Sequence, residues 1–243
     1  MIRCVVRPDQ IDQTQVTLDL AQSKHLSAVL RLKAGDTLAI VSEGAVYQAV
    51  LQEVSRRGAV ARLGERLPAP VPLRCQITLS LTLPHRSGLF DQTIDQATQL
   101  GVAALIPTVT QRTVVRPDPK RLKSKLTRWN RIAKSACAQS GWARTPSIAN
   151  VTSFKELVGQ FSQFDQVWVA ALDQDTLSIK EILGEAHPKK LLFCIGPEGD
   201  FTSDELECAR QAEAKLVSLG PAVLRCETAA VAALSVLNHE LNL

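Results

Sequence analysis

Two glycine-containing turns near the end of the chain have the composition of a small-molecule site. The first is GPEGDF, from Gly196 to Phe201, and the second is LGPAVLRCET, residues 219–228. Because glycine has no Cβ, such turns let main-chain N–H and C=O groups approach a flat ligand closely. The first turn has neither the lysine of a phosphate-binding P-loop nor the third glycine of the dinucleotide fingerprint. The pattern therefore predicts a small-molecule site of another kind or, as the alternative, two ordinary turns between strands and helices.

Each turn lies between a predicted strand and a predicted helix. The apolar run at 191–195 has the length of a buried strand, and Thr202 followed by Glu205 has the spacing of a capping box. The strand before the second turn ends at Leu219, and an alanine-rich helix begins near Glu227. Since the carboxyl ends of parallel strands often bind ligands in α/β proteins, the two turns are expected to approach one ligand from two sides.

The rest of the chain divides into two predicted domains. Short apolar segments separated by turns, with a hairpin around Gly44, predict a small β-barrel-like domain over residues 1–67. Alternate prolines then predict a linker at 68–73. From 74 to 243, strands alternate with helices, which is typical of an α/β domain whose mostly parallel sheet is covered on both faces.

The composition is that of a folded protein without a membrane span. The chain has 243 residues, of which 45% are hydrophobic and 21% are charged. It shows no apolar run of membrane-spanning length and no apolar core of a signal peptide, so we expect a cytoplasmic protein. Its six cysteines form no CxxC pair and predict reduced, mostly buried thiols, with neither a disulfide framework nor a metal site.

Positive charge is concentrated in one segment. From Arg112 to Arg144 there are ten lysines and arginines but one acid, Asp118, which gives this segment a charge of +9. The whole chain carries +4, so the remainder carries −5. Such a concentration favours binding to nucleic acid, although a solvated helix face would look the same.

Five separated motifs, in the expected order along nearly the whole chain, closely resemble the RsmE family, whose members are bacterial methyltransferases of the SPOUT class. The motifs are HLSAVLRLKAGD at 25–36, QLGVAALIPTVTQRTVV at 99–115, RIAKSACAQSG at 131–141, GPEGDFTSDE at 196–205 and LGPAVLRCETA at 219–229. The resemblance implies a PUA-like barrel followed by a SPOUT α/β domain with a C-terminal trefoil knot. It further implies a homodimer that uses S-adenosyl-L-methionine to methylate N3 of a uridine in 16S ribosomal RNA of the small ribosomal subunit.

The same resemblance assigns site residues. The two turns become opposite walls of a cofactor pocket, and the end of another strand contributes as well. The implied cofactor-binding residues are Leu172, Ile195, Gly196, Pro197, Glu198, Gly199, Leu219, Gly220, Val223, Leu224, Arg225, Thr228 and Ala229. The expected RNA phosphate contacts are Arg112, Arg116 and Arg144, with Arg3, Arg7 and Arg31 from the barrel domain.

The implied reaction requires particular groups. Uridine N3 becomes nucleophilic after losing its proton, so a base, or a cation that stabilises the uridine anion, is needed. Arg225 is the candidate cation, and Glu227 or Glu198 is the candidate proton acceptor. A carboxylate such as Glu227 is also favourable at a helix start for electrostatic reasons alone. Covalent attack by Cys226 is not needed for methylation at a nitrogen.

Four positions depart from the family pattern and leave alternatives open. They are Gln96, Gln99, Trp142 and Ala222, where the family commonly has lysine, glutamate, arginine and arginine, so charges that would contact RNA or a subunit are missing. Trp142 either stacks on a base or packs against the protein. The alternatives are a SPOUT methyltransferase acting on another RNA position and a non-catalytic RNA-binding module of ribosome assembly.

Overall fold

The structure is a computed structural model and describes residues 1–116, 118–183 and 188–242. The chain forms two compact units. The first contains Met1–Val71 together with Lys134–Thr145, and the second contains the remaining described residues. The segment 134–145 is thus distant in sequence from the rest of its unit. The domain boundaries at 67 and 74 remain a prediction.

The first unit is built on a six-stranded sheet. Its strands are β1 (Arg3–Val5), β2 (Ile11–Asp12), β3 (Gln15–Leu18), β4 (Thr37–Ser42), β5 (Ala45–Val54) and β6 (Ala59–Leu67). Their order is β1-β4-β5-β6-β3-β2, with β1 and β4 parallel and the other pairs antiparallel. The hairpin between β4 and β5 turns at Glu43 and Gly44, with φ of 45° and 86°, as a two-residue hairpin turn requires. The predicted hairpin is confirmed.

One short helix accompanies this sheet. Helix α1 (Leu20–Lys24) begins after Asp19, whose side chain accepts a hydrogen bond from the Gln22 N–H at 2.8 Å, and it continues as a π-helical turn over His25–Val29. Leu26 in this turn is buried in the core of the first unit, together with residues of β3, β4 and β5.

The second unit contains a parallel sheet. Its strands are β7 (Gln76–Thr82), β8 (Ala104–Val109), β9 (Ser147–Ile148), β10 (Thr152–Ser153), β11 (Gln166–Ala170), β12 (Leu177–Ser178), β13 (Lys190–Ile195) and β14 (Lys215–Ser218). The order is β10-β8-β7-β13-β11-β14-β12, with β9 also paired to β8, and every pairing is parallel. The sheet therefore agrees with the prediction from sequence.

Helices cover both faces of this sheet. They are α2 (Ser87–Gln99), α3 (Pro119–Ser140), α4 (Phe154–Val158), α5 (Ile179–Leu183), α6 (Ser203–Gln211) and α7 (Cys226–Asn242). Along β13, Phe193 packs in the cluster that contains α2 and α7, whereas its neighbours Leu192 and Cys194 pack in the cluster that contains α4 and α6. Because successive side chains of a strand point to opposite faces, β13 is buried on both sides.

Local sequence signals define several helix ends. The capping box of Thr202 and Glu205 is present at the start of α6, and Gly101 follows α2 with φ of 78°. Asp118 Oδ1 accepts a hydrogen bond from the Lys120 N–H at 3.0 Å at the start of α3. The capping box was predicted from the sequence and is confirmed.

The cysteines are free thiols. Cys208 is exposed, and the other five are buried, as most were predicted to be. Burial raises the pKa of the Cys4 and Cys75 thiols to about 11. Among residues 1–116, 118–183 and 188–242, no helix is both long enough and apolar enough to cross a membrane.

Candidate functional site

Three adjacent parallel strands of the second unit's sheet end side by side, at the carboxyl ends of its strands. Strand β11 lies between β13 and β14, and Ala170 at its end is paired with both Ile195 and Val217. Both glycine turns therefore begin at the same edge, on either side of the segment that follows β11. The two turns predicted from sequence to face one ligand are brought together.

A cavity lies between these three strand ends. Its volume is about 90 Å³, and it is lined in part by Leu172 and Val223, which are 66% and 73% exposed. Of the predicted cofactor-binding residues, those that line it are Leu172, Ile195, Gly196, Pro197, Glu198, Leu219, Gly220, Val223, Leu224 and Ala229. Gly199, Arg225 and Thr228 are not among the lining residues.

Asp200 connects two walls of this cavity and was not predicted as a site residue. Its Oδ2 atom accepts a hydrogen bond from the Leu172 N–H at 2.8 Å, and Oδ1 accepts one from its neighbour Phe201 at 2.8 Å. Its φ is 60°, a left-handed conformation that aspartate tolerates better than most residues. Aspartate in a turn indicates a local bond to the main chain, but nothing in the sequence identifies a partner 28 residues away.

Cys226 connects the two glycine turns. Its thiol donates a hydrogen bond to the Gly196 carbonyl at 3.2 Å. Burial, and then the negative charges of Glu198, Glu227 and Asp200, raises the pKa of this thiol to about 11. Since the thiolate is the nucleophilic form, Cys226 is poorly suited to covalent attack.

The candidate catalytic residues surround the start of α7. Arg225 directly precedes this helix, is exposed, and accepts a hydrogen bond from the Ala229 N–H through its carbonyl at 2.8 Å. Glu227 is half-buried in the first turn of α7. Glu198 is exposed on the first glycine turn, where Oε1 accepts a long hydrogen bond of 3.5 Å from the His85 N–H. The negative charges of both carboxylates raise the pKa of the Cys226 thiol.

Two of the arginines predicted to contact RNA bind main-chain carbonyls of the second unit. Arg112 donates through one terminal nitrogen to the carbonyls of Gly199 at 2.7 Å and Phe201 at 3.2 Å, so it braces the first glycine turn. Arg116 donates to the carbonyl of Thr110 at 3.2 Å. A guanidinium has five N–H donors, so both contacts leave donors for a further ligand.

The other four arginines belong to the first unit. Arg3 donates to the Gly141 carbonyl, Arg7 pairs with the Asp9 carboxylate at 2.9 Å, and Arg31 is exposed with φ of 54°. Arg144 is exposed and lies against Gly44, where its Nε atom would be 2.9 Å from an added Cβ. Arg3 and Arg144 therefore also have structural contacts.

Helix α3 presents its cations outward. Trp129 and Ala133 are buried on one side, and the exposed cations of the helix are Lys120, Arg121, Lys123, Arg128 and Arg131. The helix is therefore amphipathic, and its charged face is available to an anionic partner.

A wider cavity of about 820 Å³ lies between the end of β8 and helices α4 and α6. Its carboxylate Glu205 is already occupied, because it accepts hydrogen bonds from the N–H groups of Gln111 and Thr202 at 2.9 and 3.0 Å. None of the predicted cofactor-binding residues lines it, so we assign the site to the cavity between the strand ends.

Two family models match the chain. A model of the RNA methyltransferase domain matches residues 71–238, and a model of the RNA methyltransferase PUA domain matches residues 18–64. The matches agree with the α/β domain and the preceding PUA-like domain predicted from sequence.

Similar proteins include two curated relatives and one solved structure. Ribosomal RNA small subunit methyltransferase E of Synechocystis sp. is 32% identical to this chain over a matched region that covers 97% of this chain and 77% of the relative. The protein of the same name from Bacillus subtilis is 32% identical and covers 90% of this chain and 88% of the relative. The crystal structure of Ribosomal RNA small subunit methyltransferase E from Neisseria gonorrhoeae, bound to S-adenosyl methionine, is 26% identical and has a TM-score of 0.87. It covers 98% of this chain and 97% of that chain.

Proposed function

The chain belongs to the ribosomal RNA small subunit methyltransferase E family, and from that premise we propose that it methylates N3 of a uridine in 16S ribosomal RNA with S-adenosylmethionine. This membership confirms the family resemblance and the enzyme class predicted from the sequence. The modified atom, the cofactor of this chain and its RNA are parts of the proposal.

The observation that carries the proposal is the row of strand ends at Ala170, Ile195 and Val217. Three main-chain segments converge there on one cavity, which suits a cofactor held largely by main-chain groups. The cavity volume of about 90 Å³ is less than the roughly 300 Å³ or more of most ligand pockets, so the cofactor would extend beyond the cavity over the exposed Leu172 and Val223. A Cβ added at Gly220 would meet no atom within 4 Å, so there is open space beside the second glycine turn.

When bound, the cofactor supplies an activated methyl group on a sulfonium. Arg225 would stabilise the negative charge that uridine acquires on losing its N3 proton, because its guanidinium keeps its charge at any working pH. We favour Glu198 over Glu227 as the proton acceptor, because Glu198 lines the cavity whereas Glu227 lies in the first turn of α7. Cys226 would hold the two turns together as a neutral hydrogen-bond donor.

We propose 16S ribosomal RNA, free or within the small subunit, as the binding partner of the basic residues. The exposed face of α3 and the remaining donors of Arg112 and Arg116 support this. A homodimer, a cytoplasmic location and the division into domains 1–67 and 74–243 complete the proposal. Sedimentation equilibrium would test the dimer.

The test is mass spectrometry of nucleosides from small-subunit RNA. Subunits from a strain without this protein are incubated with the protein and S-adenosylmethionine carrying a heavy-isotope methyl group. The proposal predicts labelled 3-methyluridine at one position. Labelled methyl at another atom or nucleotide would favour a different RNA position, which the departures at Gln96, Gln99, Trp142 and Ala222 keep open. Cofactor binding without labelled RNA would favour the non-catalytic module.

A further inference from the structure

A third cavity adjoins the proposed cofactor site at the carboxyl end of β7. This strand pairs with β13, and Leu81 is the register partner of Ile195, so the residues after β7 lie beside the first glycine turn. Leu83, Pro84 and His85 form one side of the cavity. The His85 N–H donates to Glu198, which lines the cofactor cavity, so these two residues connect the two cavities.

The inner wall of this cavity is apolar and aromatic. Phe90 and Trp129 are 2% and 4% exposed, and their ring centroids are 4.7 Å apart. Leu83 and Val115 add further apolar surface. The volume is about 160 Å³, which is room for roughly five water molecules, so a single planar ring of eight or so heavy atoms is of suitable size.

Two cations of α3 also line the cavity. Lys125 and Arg128 both line the cavity, and Arg128 is held by an ion pair of 2.6 Å with Asp91. Asp91 also lines the cavity and offsets the charge of Arg128, so the net positive charge of this side comes from Lys125. The site therefore combines an apolar wall, suited to an uncharged ring, with a positive side, suited to a phosphate.

A nucleotide, with its uncharged base and its phosphate, fits this combination. Binding sites for small ligands are mostly apolar with a few placed polar groups, which suits a base with its phosphate. We propose that this cavity binds one unstacked base of the substrate RNA that neighbours the reacting uridine, with Lys125 and Arg128 at its phosphate. The site would then help to select the sequence around the reacting nucleotide. This inference rests on the proposed function, because it takes RNA as the substrate.

The first experiment measures binding of uridine 5′-monophosphate to the full chain saturated with S-adenosylhomocysteine. Val115→Phe would partly fill the cavity without changing charge, and Lys125→Gln would remove a lining cation. Lys123→Gln is the matched control, because Lys123 is exposed on the same helix and outside the cavity lining. We expect Val115→Phe to weaken binding about tenfold. Lys125→Gln should weaken it about fivefold more than Lys123→Gln does, and flatten its salt dependence more.

The second experiment measures methylation of small subunits by the same variants. A raised KM with a kcat close to wild type is expected for Val115→Phe and Lys125→Gln, because they affect RNA placement and leave the cofactor site intact. Circular dichroism checks that each variant folds.

The outcomes separate the two proposals. The base site would be overturned if Lys125→Gln and Lys123→Gln behaved equally in both experiments and Val115→Phe bound the nucleotide as the wild type does. Methylation of RNA by the wild-type protein would still support the proposed function in that case. Absence of RNA methylation by the wild-type protein would refute the proposed function itself, whatever the nucleotide binding shows.

Discussion

The Oδ2 atom of Asp200 accepts a hydrogen bond from the Leu172 N–H at 2.8 Å and so holds together two walls of the proposed cofactor site. Replacing Asp200 with alanine removes this bond and leaves a φ of 60° on a residue that disfavours it. We expect Asp200→Ala to weaken S-adenosylmethionine binding about tenfold, measured by calorimetry, because a hydrogen bond to a charged group contributes about 1.5–3 kcal/mol.

Asp200→Gly separates the two effects. Glycine adopts positive φ readily, so this variant loses the side-chain bond but not the backbone conformation. It should bind the cofactor better than Asp200→Ala but less well than the wild type. Asp204→Ala, which removes a nearby carboxylate outside the cofactor cavity, is the control. Wild-type affinity in both Asp200 variants would show that this bond does not shape the site.

Arg112 should affect both ligands, since it braces the first glycine turn and also presents charge. Arg112→Ala removes the bonds to the carbonyls of Gly199 and Phe201, so we expect weaker cofactor binding, by about 3- to 10-fold, as well as weaker RNA binding. Arg144→Ala should weaken RNA binding and leave cofactor affinity unchanged. Calorimetry with the cofactor and filter binding with small-subunit RNA at several salt concentrations measure the two effects. Identical profiles for the two variants would contradict the bracing role.

Cys226 should act as a hydrogen-bond donor rather than as a nucleophile. Cys226→Ser keeps a donor to the Gly196 carbonyl and should retain methylation within about threefold, whereas loss of a covalent nucleophile would reduce it by orders of magnitude. In native alkylation at pH 8, mass spectrometry should find Cys208 modified before Cys226, because Cys208 is exposed. Rapid alkylation of Cys226 would contradict its buried, protonated state.

The pH dependence of stability offers a further test of Cys226. Its pKa rises from the ordinary 9.0 to about 11 on folding, so above pH 9 the unfolded chain loses this proton more readily than the folded one. Denaturant unfolding should therefore show the wild type losing stability relative to Cys226→Ser as pH rises above about 9. Parallel curves for the two proteins between pH 8 and 11 would show that the thiol is not perturbed.

Arg225 should act mainly on the rate of methyl transfer. We expect Arg225→Ala to lower kcat by a factor of about 100 to 1,000, as for other groups that stabilise a developing negative charge, with a small effect on cofactor affinity. Arg225→Lys keeps the charge but not the planar geometry, so its kcat should lie between those of the wild type and Arg225→Ala. Single-turnover methylation of small subunits measures the effect. A near-normal rate for Arg225→Ala would remove this residue from the mechanism.

Local patterns predicted those parts of the structure that depend on neighbouring residues. The capping box of Thr202 and Glu205, the hairpin at Gly44 and the apolar strand at 191–195 are each set by residues within a few positions. The two glycine turns were also predicted to approach each other. That expectation needed the parallel sheet, which the alternation of strands and helices indicates.

Contacts between distant residues could not be predicted. The bonds of Asp200 to Leu172 and of Cys226 to Gly196 join segments 28 and 30 residues apart, and a single sequence does not reveal such pairs. The same applies to Arg112, which sequence reasoning took for a phosphate contact alone. Likewise, no composition change marks segment 134–145 as part of the first unit.

A crystal structure of this protein with S-adenosylhomocysteine would show where the cofactor binds. We expect the ligand between Gly196–Gly199 and Leu219–Leu224, over the ends of β11, β13 and β14, with its sulfur facing the side that carries Arg225. A ligand bound in the cavity between β8, α4 and α6, or anywhere else on the chain, would contradict this expectation.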